Sequence, residues 1–157
     1  MNGKKYKVFV YGLLLKGLGN HRVIDQPGVK FLCKDSIRAK LFTSHWSWPF
    51  IVFSQSNKDR VYGETYEVPR NVFQRLDQLE GYSPNDSSSL FFRKYAFTKE
   101  KHRVHIYEGG THLRNARQRF WLTKGDWFKS FNTYHKGENM QANRIAMESS
   151  KEIILIQ

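Results

Sequence analysis

An α+β fold built on a strongly curved sheet or small barrel is what this sequence predicts, on three observations. Short aromatic and β-branched runs recur along the chain between Gly, Pro and Ser clusters. One segment alone switches clearly to helical spacing. With 157 residues and 39% apolar content, the chain can bury one core but not two comfortably. A single domain over 1–157 is therefore expected, with 136–157 as a C-terminal extension, polar and loosely held over 136–150.

The elements follow in order. "YKVFVY" (6–11) reads as a buried strand that Gly12 ends, and three leucines, Leu13 to Leu15, come next. A second strand is expected at "IRAKLF" (37–42), and "HWSWPFIVFS" (45–54) reads as a loop feeding a short strand. "RVYGETYEVP" (60–69) alternates as a strand should, with Gly63 marking a bulge or a close approach. In "PRNVFQRLDQLEG" (69–81) Val72, Phe73, Leu76 and Leu79 share one helical face, Pro69 stands near the start, and Gly81 is placed to cap the end. After the polar loop "SPNDSSS", two more strands are expected in "LFFRKYAFT" (90–98) and "RVHIYEG" (103–109). The stretch 111–131 has no dominant period. A final "EIILIQ" (152–157) reads as an edge strand.

The chain has 26 Lys and Arg against 14 Asp and Glu, a net charge of +12, which favours anionic partners without choosing among them. From Arg93 to Lys136 eleven basic residues face three acids, interleaved with Phe97, Tyr107, Phe120, Trp121, Trp127 and Phe131. A basic face with aromatics is what single-stranded nucleic acid binding uses, so a nucleic-acid partner along 93–136 is one reading. The lone Cys33 can form no internal disulfide and is expected to act as a small buried hydrophobe. The six histidines are scattered, and no metal site is expected. "FVYGLLL" and "IILI" fall far short of the ~20 apolar residues of a membrane span. The charged start leads into no signal-peptide pattern. A cytoplasmic protein without membrane contact is expected.

Glu80 is the residue with the clearest chemical signal. It ends the helix, where the partial negative charge of the backbone disfavours an ionised carboxylate, and burial there would raise its pKa further. A carboxyl poised near neutrality suits general acid/base work. Helix stability alone would favour Lys or Arg at that end.

Taken in order, "VFVYG" followed by leucine, "VYGETYEV", "LDQLEGY", "FFRK" and "VHIYE" resemble the gamma-glutamylcyclotransferase-like family, over residues 7 to 110, with an echo in "KGDWF" (124–128). The resemblance implies a small mixed β-barrel with flanking helices. It further implies cyclisation of a γ-glutamyl amide to 5-oxoproline with release of an amine or amino acid, and no metal, nucleotide or other cofactor. By position, Glu80 would be the acid/base, Tyr11, Gly12, Leu13 and Leu14 the substrate loop, and Tyr107 a pocket residue. The backbone N–H groups after Gly12 would stabilise the oxyanion, and the leucines would pack beneath the loop. Two departures stand out: members usually carry Thr or Ser where Leu13 stands, and Tyr where Phe92 precedes Arg93. The alternative is an inactive member that binds a small anionic ligand, or a nucleic-acid or protein partner through its basic face.

Overall fold

In a computed structural model, residues 3–44 and 48–136 are described, side chains through 131. The strands are β1 (Lys5–Val10), β2 (Lys30–Thr43), β3 (Pro49–Phe53), β4 (Arg60–Pro69), β5 (Phe91–Phe97), β6 (Arg103–Gly109) and β7 (Phe120–Trp121). The helices are α1 (Arg70–Leu79), α2 (Thr111–Arg114) and α3 (Trp127–Lys136). Within the described residues no helix is long and apolar enough to cross a membrane.

The sheet runs β3-β2-β4-β1-β6-β5, with β7 also on β2. Every pairing is antiparallel except β1 with β6. Strand β2 explains the curvature, because it pairs with β4 from Lys30 to Arg38 and then with β3 from Ala39 to Thr43. A strand that changes partners makes a corner. The corner carries β3 round to β6, where Phe53 N–H donates to Glu108 Oε2 at 2.9 Å and the Phe50 ring presses on Gly109. The result is a mixed sheet curled into a half-barrel.

Side-chain alternation along β1 divides the core. Val8 and Val10 join Val68, Val72, Phe73 and Leu76 between the sheet and α1. Phe9 and Tyr11 join Ile37, Leu41, Ile51, Val61, Ile106 and Trp127 on the opposite side. Helix α1 begins after Pro69 and stops at Glu80, which is its C-cap. Gly81 follows at φ +61°, letting Gly81 N–H reach Gln78 O and Tyr82 N–H reach Asp77 O. That left-handed turn satisfies carbonyls that a continuing helix would have used.

Three sequence readings differ from the coordinates. β2 starts at Lys30, seven residues before the expected strand, because a bulge between Phe31 and Cys33 lets a polar stretch keep its pairing with β4. Cys33 is half-buried, with its thiol 3.7 Å from Asp35 Oδ2, so it is a polar neighbour as well as a packing residue. The unassigned 111–131 forms α2, β7 and the start of α3. Gly63 is a close approach: a Cβ there would lie 2.1 Å from Val10 O. The expected strand 152–157 lies outside the described residues.

Candidate functional site

The loop after β1 is built by local backbone bonds. Leu15 N–H closes onto Gly12 O at 3.0 Å and Asn20 N–H onto Leu13 O at 3.0 Å. The Leu13 and Leu14 N–H groups have no backbone acceptor among the described residues. Leu14 and Leu15 sink into the core beside Val23 and Ile24, holding this loop from below. Gly12 is required by packing as well as by any ligand, since a Cβ would stand 2.7 Å from the Pro49 ring.

Glu80 faces this loop. Tyr11, Gly12, Leu13, Leu14, Glu80 and Tyr107 line one hollow of about 30 Å³. Glu80 as a residue is half-buried, yet its carboxyl group is enclosed by protein. Burial, with no counter-ion, pushes that carboxyl up to about 8. The ion pairs among the described residues are Arg93–Asp77 and Lys94–Glu108, and neither involves Glu80. The tyrosines register the same burial: the Tyr11 and Tyr107 phenols are raised by desolvation first, with the Glu80 charge adding to each.

Both hydroxyls on the wall are already engaged. Tyr11 donates to the Tyr107 carbonyl at 2.6 Å, tying the end of β1 to β6. Tyr107 donates to Asp77 Oδ1 at 2.6 Å, and Asp77 Oδ2 takes the Arg93 guanidinium. Arg93 in turn lies 4.4 Å over the Phe73 ring and 5.2 Å over Tyr82. Asp77 precedes Glu80 by three residues, so α1 carries both the buried carboxyl and the clamp on its opposite wall. Asp77→Asn should keep one acceptor but lose the charge, costing roughly 1–3 kcal/mol. Thermal unfolding checks this, and an unchanged midpoint would mean the clamp carries no strain-bearing load.

Sequence reasoning overlooked several members of this site. Asn20, Trp48, Pro49 and Phe91 line the hollow, and Asp77 and Arg93 support it. The available signal was Asp77 at helical spacing from Glu80. Trp48 and Pro49 gave none, because only the curl of the sheet brings β3 to this place. Phe92, the other departure, does not line the hollow.

Two further features lie elsewhere. A wide groove of about 730 Å³ runs past Lys16, Lys34, Tyr62, Glu64, Lys124 and Phe128, without Glu80. Cys33, Asp35 and His102 bring potential ligand atoms within 4.8 Å of one another. There the Lys7 ammonium sits 3.2 Å from His102 Nδ1, and Asp35 accepts from Ser36 N–H, Glu100 N–H and the Thr65 hydroxyl. Burial pushes the Asp35 carboxyl up, but hydrogen bonds from Thr98, Glu100, Ser36 and Thr65 outweigh it and hold the group below its ordinary range. A bound ammonium and a saturated carboxylate make this a polar tie between β2 and the β5–β6 turn.

A family model described as gamma-glutamyl cyclotransferase, AIG2-like matches residues 8–129. The chain is 30% identical over 129 residues to the gamma-L-glutamyl-butirosin B gamma-glutamyl cyclotransferase of Niallia circulans, covering 82% of this chain and 78% of that protein. Among solved structures, an uncharacterised protein from Pyrococcus horikoshii superposes with a TM-score of 0.63 at 22% identity, over 85% of this chain and 99% of that one. An AIG2-like protein from Mus musculus gives 0.57 at 20% identity, over 73% and 85%. These structural likenesses establish the fold.

Proposed function

Since the chain belongs to the gamma-glutamyl cyclotransferase, AIG2-like family, we propose that it cyclises a γ-glutamyl amide to 5-oxoproline, releasing an amine or amino acid, with Glu80 as the acid/base. The observation that supports this most is one hollow shared by a buried, high-pKa Glu80 and the loop of Tyr11 to Leu14.

The reaction is an acyl transfer within the substrate, assisted by proton transfers. A substrate α-amine has an ordinary pKa of about 7.7–8.0 and enters largely protonated at neutral pH. Ionised Glu80 takes one of its protons, and the freed nitrogen attacks the γ-carbonyl carbon. A C–N bond forms, the carbonyl oxygen gains charge, and the Leu13 and Leu14 N–H groups are the donors nearest to hand in the loop. Glu80 then returns its proton to the leaving nitrogen as the old amide bond breaks, and the ring nitrogen loses its second proton to the ionised carboxylate, which passes it to water or to the departing amine. Attack within one molecule gains from being held folded back, so positioning supplies much of the rate. At about 30 Å³ the hollow holds only two or three waters by the usual ~10–15 Å³ each.

Leu13 leaves the substrate without the hydroxyl that the resemblance leads one to expect, which keeps a binding-only role as the rival. With a single cysteine the chain has no internal disulfide to preserve, and we place the reaction in the cytoplasm. Purified protein incubated with γ-glutamyl amino acids and γ-glutamyl amines should release 5-oxoproline from at least one. Ligand binding without product from any of them would leave the rival standing.

A further inference from the structure

Acidic residues are absent from two long stretches of this chain. None lies between Asp35 and Asp59, and none between Glu108 and Asp126. Those stretches hold Arg38, Lys40, Lys58, Arg114, Arg117, Arg119 and Lys124. The fold brings them together, because β7 pairs with β2 through Phe42 with Trp121 and Thr43 with Phe120, while β3 pairs along the same part of β2.

Two cations of this corner lie over rings. Lys40 Nζ lies 4.6 Å from the centre of the Trp121 ring, and the Arg119 guanidinium 4.9 Å from that of Phe42. Arg119 Nη1 also donates to Arg114 O at 2.7 Å, and Arg114 Nε is buried with no hydrogen-bond partner among the described residues. A ring attracts a cation without cancelling its charge. The carboxylate that touches the corner, Glu108, is buried and engaged by Lys94 and by Phe53 N–H. Asp59, at the end of the β3–β4 turn, accepts the Ser54 hydroxyl. Meanwhile Phe120 and Trp121 are 51% and 48% exposed on a two-residue strand.

Arg93 and Lys94 are in ion pairs, and Arg103 covers the Tyr95 ring at 4.0 Å. Among the described residues, Lys40, Arg114, Arg117 and Arg119 at the β2–β7 corner have no carboxylate partner.

We propose that this corner binds single-stranded nucleic acid, with Lys40, Arg117 and Arg119 meeting phosphates and the rings of Phe120 and Trp121 stacking on bases. Exposed rings beside unpaired cations suit a strand whose bases are free to stack. A membrane surface is a poorer match, because α2 is a single turn with no apolar face to insert.

Fluorescence anisotropy of the full chain with a labelled single-stranded oligouridylate of about 16 nucleotides tests the proposal. Affinity should fall with added salt, log K against log salt sloping about −2 to −3 for three or four phosphate contacts. Reversing Lys40, Arg117 and Arg119 to Glu together should weaken binding on the order of tenfold or more at equal salt. Trp121→Ala should weaken binding while leaving the salt slope alone. Reversing Lys30 and Lys99, exposed residues outside the two acid-free stretches, should leave it unchanged. Should the triple variant fail to fold by circular dichroism, Arg117→Glu alone carries the comparison. No binding near about 0.1 M salt, equal weakening by the Lys30 and Lys99 pair, or displacement by phosphatidylserine vesicles in preference to unlabelled oligonucleotide would each overturn it. None of these readouts depends on 5-oxoproline release.

Discussion

Glu80→Gln should lower 5-oxoproline release by roughly 10²–10⁴-fold, the ordinary contribution of a positioned general acid/base. The amide occupies the same space in the hollow but can neither take the ammonium proton nor return one. The wild-type pH profile should carry the signature of this assignment. With the carboxyl at about 8 and a substrate amine at about 7.7–8.0, the productive pair holds one proton between them. Both groups are protonated in acid and both bare in alkali, so kcat/KM should peak near pH 8 and fall towards tenfold per unit on either side. A profile flat from pH 6 to 10, or a Gln variant within a few-fold of wild type, would remove Glu80 from the reaction.

The same carboxyl should register in stability. Its folded value is raised above an ordinary 4.5, so the native state holds the proton more tightly than the unfolded chain does. The contribution is fully present below about pH 4.5 and is lost progressively as pH rises to about 8, a span worth roughly 3–5 kcal/mol. Glu80→Gln should therefore gain stability relative to wild type on moving from pH 5 to pH 9. Urea unfolding at the two pH values measures the difference, and parallel shifts in both proteins would mean that the carboxyl is hydrated.

Trp127→Ala should cost about 3–5 kcal/mol, the usual penalty for deleting a large buried aromatic. Trp127 is fully buried among Phe9, Ile37, Leu41, Val61 and Ile106, and it anchors the start of α3 to the half-barrel. The preceding turn allows little accommodation, since Gly125 has φ +66° and a Cβ there would overlap Arg60 O at 1.7 Å. At the ~2–4 °C per kcal/mol typical of chains near this length, the melting point should fall by about 6–20 °C. Trp121→Ala, six residues earlier, should stay within about 1 kcal/mol because that ring is half exposed. Similar losses at both sites would mean that Trp127 is not the anchor.

These two tryptophans mark the limit of what could be read in advance. Both sit in "RFWLTKGDW", where no period separates an inward ring from an outward one, and pairing of β7 with distant β2 decides the matter. The site divides in the same way. Tyr11, Gly12, Glu80 and Tyr107 stood out because each lies in a recognisable local pattern, and the resemblance ordered those patterns. Asn20, Trp48, Pro49 and Phe91 carried no such pattern and reach the hollow through the curl of the sheet. Cys33 departed from expectation because its apolar character was read without its neighbour two residues on, Asp35.

By itself the sequence determined the succession of strands around one helix, the cap at Gly81, and a carboxyl at that helix's end. Each is local: alternation, helical spacing and a residue that tolerates positive φ act over a few positions. The tertiary structure alone decided that this carboxyl is enclosed by protein, that the Tyr11 and Tyr107 hydroxyls are committed to Tyr107 O and Asp77, and that the β1 loop stands opposite. Tyr11 and Tyr107 are 96 residues apart in the chain. Their contact exists because β1 and β6 lie side by side in a sheet whose corner is made by one strand changing partners, and desolvation of Glu80 is a property of that enclosure.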